Sequence, residues 1–412
     1  MIYHVLISFC AVILLAYFFE ITSKHTKIPG VLLLILTGMA INSLVKFYHF
    51  KLPEIEGILP FMGTLGLVLI VLEASLDLKL GRGKSKLIAG SLSSAILLFL
   101  VFTGLFTFVL VYFFSCDIKT SIINIIPVSI ISSAIAIPSA VGLSETNREF
   151  VTYESSMSDI FGIIIFNYVL FSNGSLNSNI SRFFVEITVT IIASVIFSIG
   201  LSVMLHKINH NVKYIIIMTV IVLVYALAEL IHLPSLFVVL IFGLIMNNNE
   251  MFKNHYSVKI INFEEFNADL DSFKNITAEM TFIVRSFFFI VFGFYTNLFD
   301  LLNLNNLITT FTIVSVIFIL RAFYLRTILD FPLSPLFYFA PRGLITILLF
   351  LSIPQTMLLP IMNTGVITQV IFITILLMTF GNIIFQKVDE LMTHQDSGAD
   401  VKTSQDKNNC HL

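Results

Sequence analysis

The chain has 412 residues, 57% of them hydrophobic and 12% charged, with a formal net charge of −2 and a mean hydropathy of +0.97. A soluble domain carries about twice that share of charged residues, so a water-soluble globular protein is excluded, and a nearly neutral chain is a poor partner for nucleic acid. The three cysteines, Cys10, Cys116 and Cys410, form neither a disulfide framework nor a metal-ligand spacing. There is no nucleotide loop, catalytic Ser–His pair or His cluster, so neither an enzyme nor a cofactor is expected.

Apolar stretches of roughly 18–28 residues recur along the chain, which predicts an all-α polytopic membrane protein. About thirteen spans are expected, at 2–21, 29–46, 57–78, 87–114, 120–142, 148–172, 182–206, 213–231, 234–248, 279–298, 306–329, 334–353 and 358–386. The first lacks a basic leader and a small-residue cleavage site, so it reads as a retained helix. With the N-terminus outside, inner loops and tail collect 15 Lys and Arg and outer loops only 4 (Lys46, Lys51, Lys119, Arg182). That bias predicts N-out, C-in.

In the second span, Pro29-Gly30-Val31 through Thr37-Gly38 is echoed in the ninth by Pro234-Ser235-Leu236 through Phe242-Gly243, and each closing glycine is followed four residues later by asparagine, Asn42 or Asn247. The third span ends Leu76-Asp77-Leu78 and the tenth Thr296-Asn297-Leu298; the fifth carries Pro138 and the twelfth Pro341. Spans two and nine are seven positions apart, an odd number, so the two halves have opposite topology. Inverted repeats with broken helices in matching positions point to a secondary transporter. Within the third span, Glu73 is an acidic group in the inner half.

In the fifth span, Ser132, Ser133 and Pro138 loosen the helix, and Pro138 frees a carbonyl one turn back. Such backbone is tolerated at mid-depth only where it is buried or lines a wet cavity. The sixth span holds Glu154-Ser155-Ser156-Met157-Ser158-Asp159. An ionised carboxylate at mid-membrane costs at least about 3 kcal/mol unless something pairs with it, and such residues mark ion or proton paths. Ser155 and Asp159, four apart, share a helix face. Their anionic and neutral oxygens suit a hard monovalent cation or a proton. The competing reading is a carboxylate paired with an arginine for packing alone.

Glu229, near the outer end of the eighth span, reads as structural. Residues 256–277 place apolar side chains at helical spacing among acidic ones, which predicts an amphipathic helix lying along the inner face. In the twelfth span, Pro341-Arg342-Gly343 predicts a second break, crossing the first near Asp159. Arg342 needs backbone carbonyls or an acid at that depth, and Glu73 and Glu154 are the acidic candidates; a structural Arg342–Glu154 pair is expected. Arg285 and Arg321, nearer the inner ends of their spans, are expected to snorkel. Residues 1–390 thus form one transmembrane domain, and 391–412 a polar, disordered cytoplasmic tail.

Glu154-Ser155 followed by Asp159 resembles the glutamate-serine-x-x-asparagine-aspartate motif of the monovalent cation:proton antiporters, the sodium/proton exchanger family. Tyr225-Ala226-Leu227-Ala228-Glu229 leading to Ser235 and Gly243, Arg285-Ser286-Phe287-Phe288-Phe289 with Gly293, and Pro341-Arg342-Gly343-Leu344 resemble further family stretches in the same order. The resemblance implies a homodimer of thirteen-helix inverted-repeat protomers in the bilayer, here of a bacterial inner (plasma) membrane, exchanging Na+ (also Li+ or K+) for H+. It implies that the residue matching Asp159 carries the ion, with those matching Ser155 and Glu73 helping to coordinate it. Ser158, beside the carrier, is placed with this group, and Ser132, Ser133 and Pro138 would supply coordination from the broken helix. Two positions depart from the family pattern. Ile135 or Ile137 replaces the aspartate of the first broken helix, and Ser158 stands where the family has asparagine or a second aspartate. One carboxylate instead of two resembles the electroneutral branch. An organic-anion or bile-acid-type symporter on a similar scaffold, and a member that has lost transport, are the competing readings.

Overall fold

The computed structural model describes residues 2–26, 28–48, 58–78, 84–171, 185, 188–201, 213–231, 233, 235–248, 263–296, 301, 303–329 and 334–384. The helices are α1 (Ile2–Thr26), α2 (Gly30–Phe47), α3 (Ile58–Asp77), α4 (Ser85–Phe114), α5 (Ile118–Ser129), α6 (Ser133–Ser139) and α7 (Glu145–Phe171). They continue with α8 (Thr188–Leu201), α9 (Lys213–Leu230), α10 (Ser235–Asn247), α11 (Phe263–Tyr295), α12 (Leu304–Thr327), α13 (Leu344–Leu351) and α14 (Thr364–Ile384). Each of the thirteen expected spans holds a helix; the fifth is shared by α5 and α6, and the twelfth is half extended before α13. The tail from residue 391 and the start of the expected amphipathic helix lie outside the described residues.

The two repeats show in the packing. Gly38 of α2 faces α11 so closely that a Cβ there would strike Ile290 O and lie 2.7 Å from Phe294 N, while a Cβ at Gly293 would strike Ile35 O of α2. In the other half, a Cβ at Gly243 of α10 would overlap Ser75 of α3. Under the repeat, α2 corresponds to α10 and α3 to α11, so α2 on α11 and α10 on α3 are the same contact made twice. Bare glycine at both crossings lets helix backbones touch where lipid supplies no hydrophobic drive of its own.

Two elements differ from the sequence reading. The apolar residues predicted to lie along the inner face, Phe266, Leu270 and Phe273, are 2%, 4% and 0% exposed and belong to one 33-residue helix, α11. Their periodic stripe turns toward protein, with Phe273 beside the Tyr214 ring and Asp269 bonded to Lys213 at 2.6 Å. At about 1.5 Å per residue, α11 outruns the ~30 Å hydrocarbon core, so its first half continues the span beyond the bilayer.

The first break, too, lies elsewhere. It falls at Ile130–Ser132, whose backbone is extended (ψ 134° at Ile130, 116° at Ser132), and Pro138 sits inside α6 on its exposed side. Two β-branched isoleucines followed by two serines give up helical geometry more readily than the residues around them. Pro138 still frees one carbonyl, Ala134 O, and Arg285 Nη1 reaches it at 3.4 Å. Pro138 therefore stands outside the coordinating group in which the sequence reading placed it.

Candidate functional site

The site is built where the two extended segments cross. Ser132 N donates to Pro341 O at 2.9 Å, joining the breaks backbone to backbone. A Cβ at Gly343 would lie 2.7 Å from Ser132 Oγ, so glycine is what lets the strands pass.

Helix α7 runs against this crossing and buries Glu154, Ser155, Ser158 and Asp159, none more than 2% exposed. Asp159 Oδ2 accepts from Ser133 N at 3.1 Å and from Ser133 Oγ. The carboxylate thus caps the first turn of α6, where unsatisfied N–H groups favour an anion. No hydrogen-bond partner among the described residues reaches its second oxygen, Oδ1, and the same is true of Ser132 Oγ. A buried carboxylate oxygen with no donor is costly and uncommon, and it is the natural seat for a proton or a bare cation.

The other broken end is held by Arg342. Its Nε donates to Val128 O at 2.8 Å, Nη2 to Ser129 O at 3.2 Å and Nη1 to Ala340 O at 2.7 Å, while its backbone N donates to Thr374 Oγ1 at 3.1 Å. These are carbonyls that the end of α5 and the second break leave without helical partners. The expected Arg342–Glu154 pair is therefore corrected. Glu154 is instead clamped by Arg321, Nη1 to Oε1 at 2.8 Å and Nη2 to Oε2 at 2.7 Å, with Ser94 Oγ at 2.5 Å. Arg321 Nε donates to Leu336 O at 2.9 Å, and its side chain is wholly buried rather than snorkelling. A planar fork with five donors suits both jobs: one guanidinium meets a carboxylate edge-on, the other gathers three carbonyls.

The remaining expected site residues separate. Ser155 Oγ spends its proton on Val151 O at 2.7 Å, leaving lone pairs facing the packed side of α7. Ser158 Oγ accepts from Ile131 N at 3.0 Å and so pins the extended segment. Glu73 lies near Thr281, in the field of Arg285, Asp77 and Glu20. Arg285, whose charge acts on Glu73, reaches Ala134 O of the first broken helix at 3.4 Å. Ile135, in place of the family's aspartate, is 1% exposed. The half-helix ends beside it are met instead by Asp159 of α7, which caps α6, and by Arg342 of the second break, which binds the end of α5. Sequence reasoning missed Arg321 and Arg285; the available signal was a guanidinium deep in an apolar run, which demands a partner wherever one is within reach. Among the described residues no cluster of three or more His, Cys, Asp or Glu could hold a metal ion.

A small cavity of 20 Å³ bounded by Ser129, Ile131, Ser158, Arg321 and Arg342 has room for about one water. A larger one, 720 Å³, opens between α3, α7, α9, α10 and α13, with Ile163 and Phe166 in its floor.

A comparison with curated protein sequences gives no match. Two solved structures share the fold. One, a sodium proton antiporter, MjNhaP1, from Methanocaldococcus jannaschii at pH 8, aligns with a TM-score of 0.71 at 16% identity, covering 93% of this chain and 99% of that one. The other, from electron microscopy of the same antiporter, aligns with a TM-score of 0.67 at 17% identity, covering 92% and 95%. The family model described as sodium/hydrogen exchanger, transmembrane, matches residues 10–387, and the chain belongs to that family of membrane transporters.

Proposed function

We propose that the protein exchanges one monovalent cation, Na+ first and Li+ or K+ as alternatives, for one proton by alternating access, with Asp159 as the carrier. The observation that supports this best is the buried Oδ1 of Asp159, which has no protein donor, beside the orphaned Ser132 Oγ at the crossing. Either ion completes that oxygen, and they compete for it. Whichever binds neutralises the carboxylate and lowers the cost of moving the site past its apolar barrier. Ser155 offers a neutral oxygen one turn away, and Glu73 tunes the site through Arg285.

The same reading has residues 1–390 as the working domain of a homodimer in a bacterial plasma membrane, N-terminus outside. It rests on the Lys and Arg bias for orientation, and on the family for sodium.

Everted vesicles carrying a pH-sensitive dye test it. Adding NaCl, LiCl or KCl should dequench the dye in wild type, and Asp159→Asn, well expressed and monodisperse, should stay at background. Flux at the wild-type level in that variant sinks the mechanism.

A further inference from the structure

Arg321 and Arg342 border one small space. The 20 Å³ cavity is lined by both, by Ser158 of α7, and by apolar residues of α4 and α12 such as Phe99 and Leu320. Arg321, Arg342 and Ser158 are 0%, 3% and 1% exposed, so none of their polar groups relies on bulk water.

Donors around this space outnumber acceptors. A guanidinium carries five N–H hydrogens. Arg321 uses three of them, on Glu154 Oε1, Glu154 Oε2 and Leu336 O, and Arg342 uses three, on Val128 O, Ala340 O and Ser129 O. Two remain on each, with no acceptor among the described residues. Ser158 Oγ accepts from Ile131 N, and its own O–H is also unused there. Ser129 and Ala340 line the cavity as well, but their carbonyls already accept from Arg342, and Ser129 Oγ donates to Ile126 O. Among the described residues no carboxylate lines the cavity. Buried donors left unmet are costly. A water meets some of them but brings two hydrogens of its own into a space already rich in donors. Charge points the same way. Glu154 answers one guanidinium, whereas the other, Arg342, is met by carbonyls alone. Two positive charges repel a cation, and a monatomic anion accepts hydrogen bonds without adding a donor.

We propose that this cavity binds a halide, chloride under ordinary conditions, held between the guanidinium groups of Arg321 and Arg342 with the Ser158 hydroxyl as a further donor. Room for about one water suits a single chloride and excludes larger anions such as gluconate. The anion is resident rather than cargo. It offsets the charge of Arg342, so the field at Asp159, next to Ser158 in the chain, repels an arriving cation less. The site rests on the donor geometry and not on the exchange reaction.

The test begins with protein purified in gluconate and titrated with chloride, bromide or further gluconate at constant sodium and ionic strength. Chloride and bromide should raise the melting temperature in detergent saturably, by about 1–3 °C at tenfold above Kd, and gluconate should not. Ala95→Val adds two methyl groups to the cavity wall from α4, away from the transport machinery. It should remove the halide response while still melting cooperatively. In proteoliposomes, replacing chloride by gluconate on both sides should raise the apparent KM for Na+ roughly two- to fivefold in wild type and leave it unmoved in Ala95→Val. If that variant does not fold, crystals of wild type grown in bromide decide: an anomalous peak between the two guanidinium groups supports the site, and its absence overturns it. A melting temperature indifferent to halide, or a halide response that survives in folded Ala95→Val, overturns it too. Absence of exchange in wild type would remove the antiporter reading and leave melting and bromide to decide the anion.

Discussion

At the scale of single residues, the two buried arginines do different work, and their removal should read differently. Arg321→Met strips Glu154 of both guanidinium bonds and leaves a buried carboxylate with Ser94 alone. Breaking a buried pair from one side costs about 3–5 kcal/mol, so thermal unfolding in detergent should begin well below wild type. The double variant Arg321→Met/Glu154→Gln, which removes both charges, should regain much of that loss. A single variant that melts like wild type would show the pair to be inert. Arg342→Ala instead leaves three carbonyls at the crossing without donors. It should lower both melting temperature and transport, because two of those carbonyls, Val128 O and Ser129 O, belong to the segment that positions Ser133 against Asp159. Loss of stability with full flux would detach Arg342 from the site. That Asp159 is a buried carboxylate in mid-span was legible in the sequence, since it sits in a long apolar run. Its partner was not, because which arginine meets which acid depends on how far each helix is tilted and rotated, and spacing along the chain does not carry that.

At the scale of elements, glycine is the part of the sequence with the clearest structural consequence. The echo of Gly38 in Gly243 marked the repeat, and both glycines sit at close helix crossings, Gly38 against the α11 backbone and Gly243 against Ser75 of α3. Gly38→Leu would push α2 off α11; overpacking of this kind costs typically about 1–3 kcal/mol, and the variant should show a lowered melting temperature with α2 newly open to protease. Unchanged melting would mean that the contact is loose. Gly343→Ala is more selective. Its Cβ meets Ser132 Oγ and Ile135 at the crossing, so flux should fall further than stability does. The ratio of rate to melting shift, compared with that of Gly38→Leu, measures this. Proline was a poorer guide. Pro138 marks the right span and the wrong turn, since the chain breaks upstream at Ile130–Ser132, where Ser158 and Asp159 of α7 and Arg342 of the second break take up the freed backbone groups. Likewise, the stripe of Phe266, Leu270 and Phe273 has the same period whether it faces lipid or protein. Periodicity shows that a face is apolar and leaves open what covers it.

At the scale of the whole molecule, charge bookkeeping at the crossing bears on stoichiometry. Arg321 is ion-paired with Glu154, Arg342 is held by backbone carbonyls, and Glu73 lies in the field of Arg285. A bound proton or a bound monovalent cation adds the same single charge to Asp159. The two loaded forms are electrically alike, so a full cycle carrying one ion each way moves no net charge. If a charge did move, the driving force would change by about 2.3 kcal/mol per 100 mV. Exchange in proteoliposomes should therefore be insensitive to a potential set with potassium and valinomycin, at fixed pH and sodium gradients. Raising the proton concentration should raise the apparent KM for sodium, up to tenfold per pH unit, without lowering the rate at saturating sodium, as competition for one oxygen requires. A rate that follows the imposed potential would mean a second proton leaves on each cycle. Glu73 is then the group to remove: if Glu73→Gln abolishes the voltage dependence, Glu73 is a second proton carrier and the one-for-one cycle is wrong.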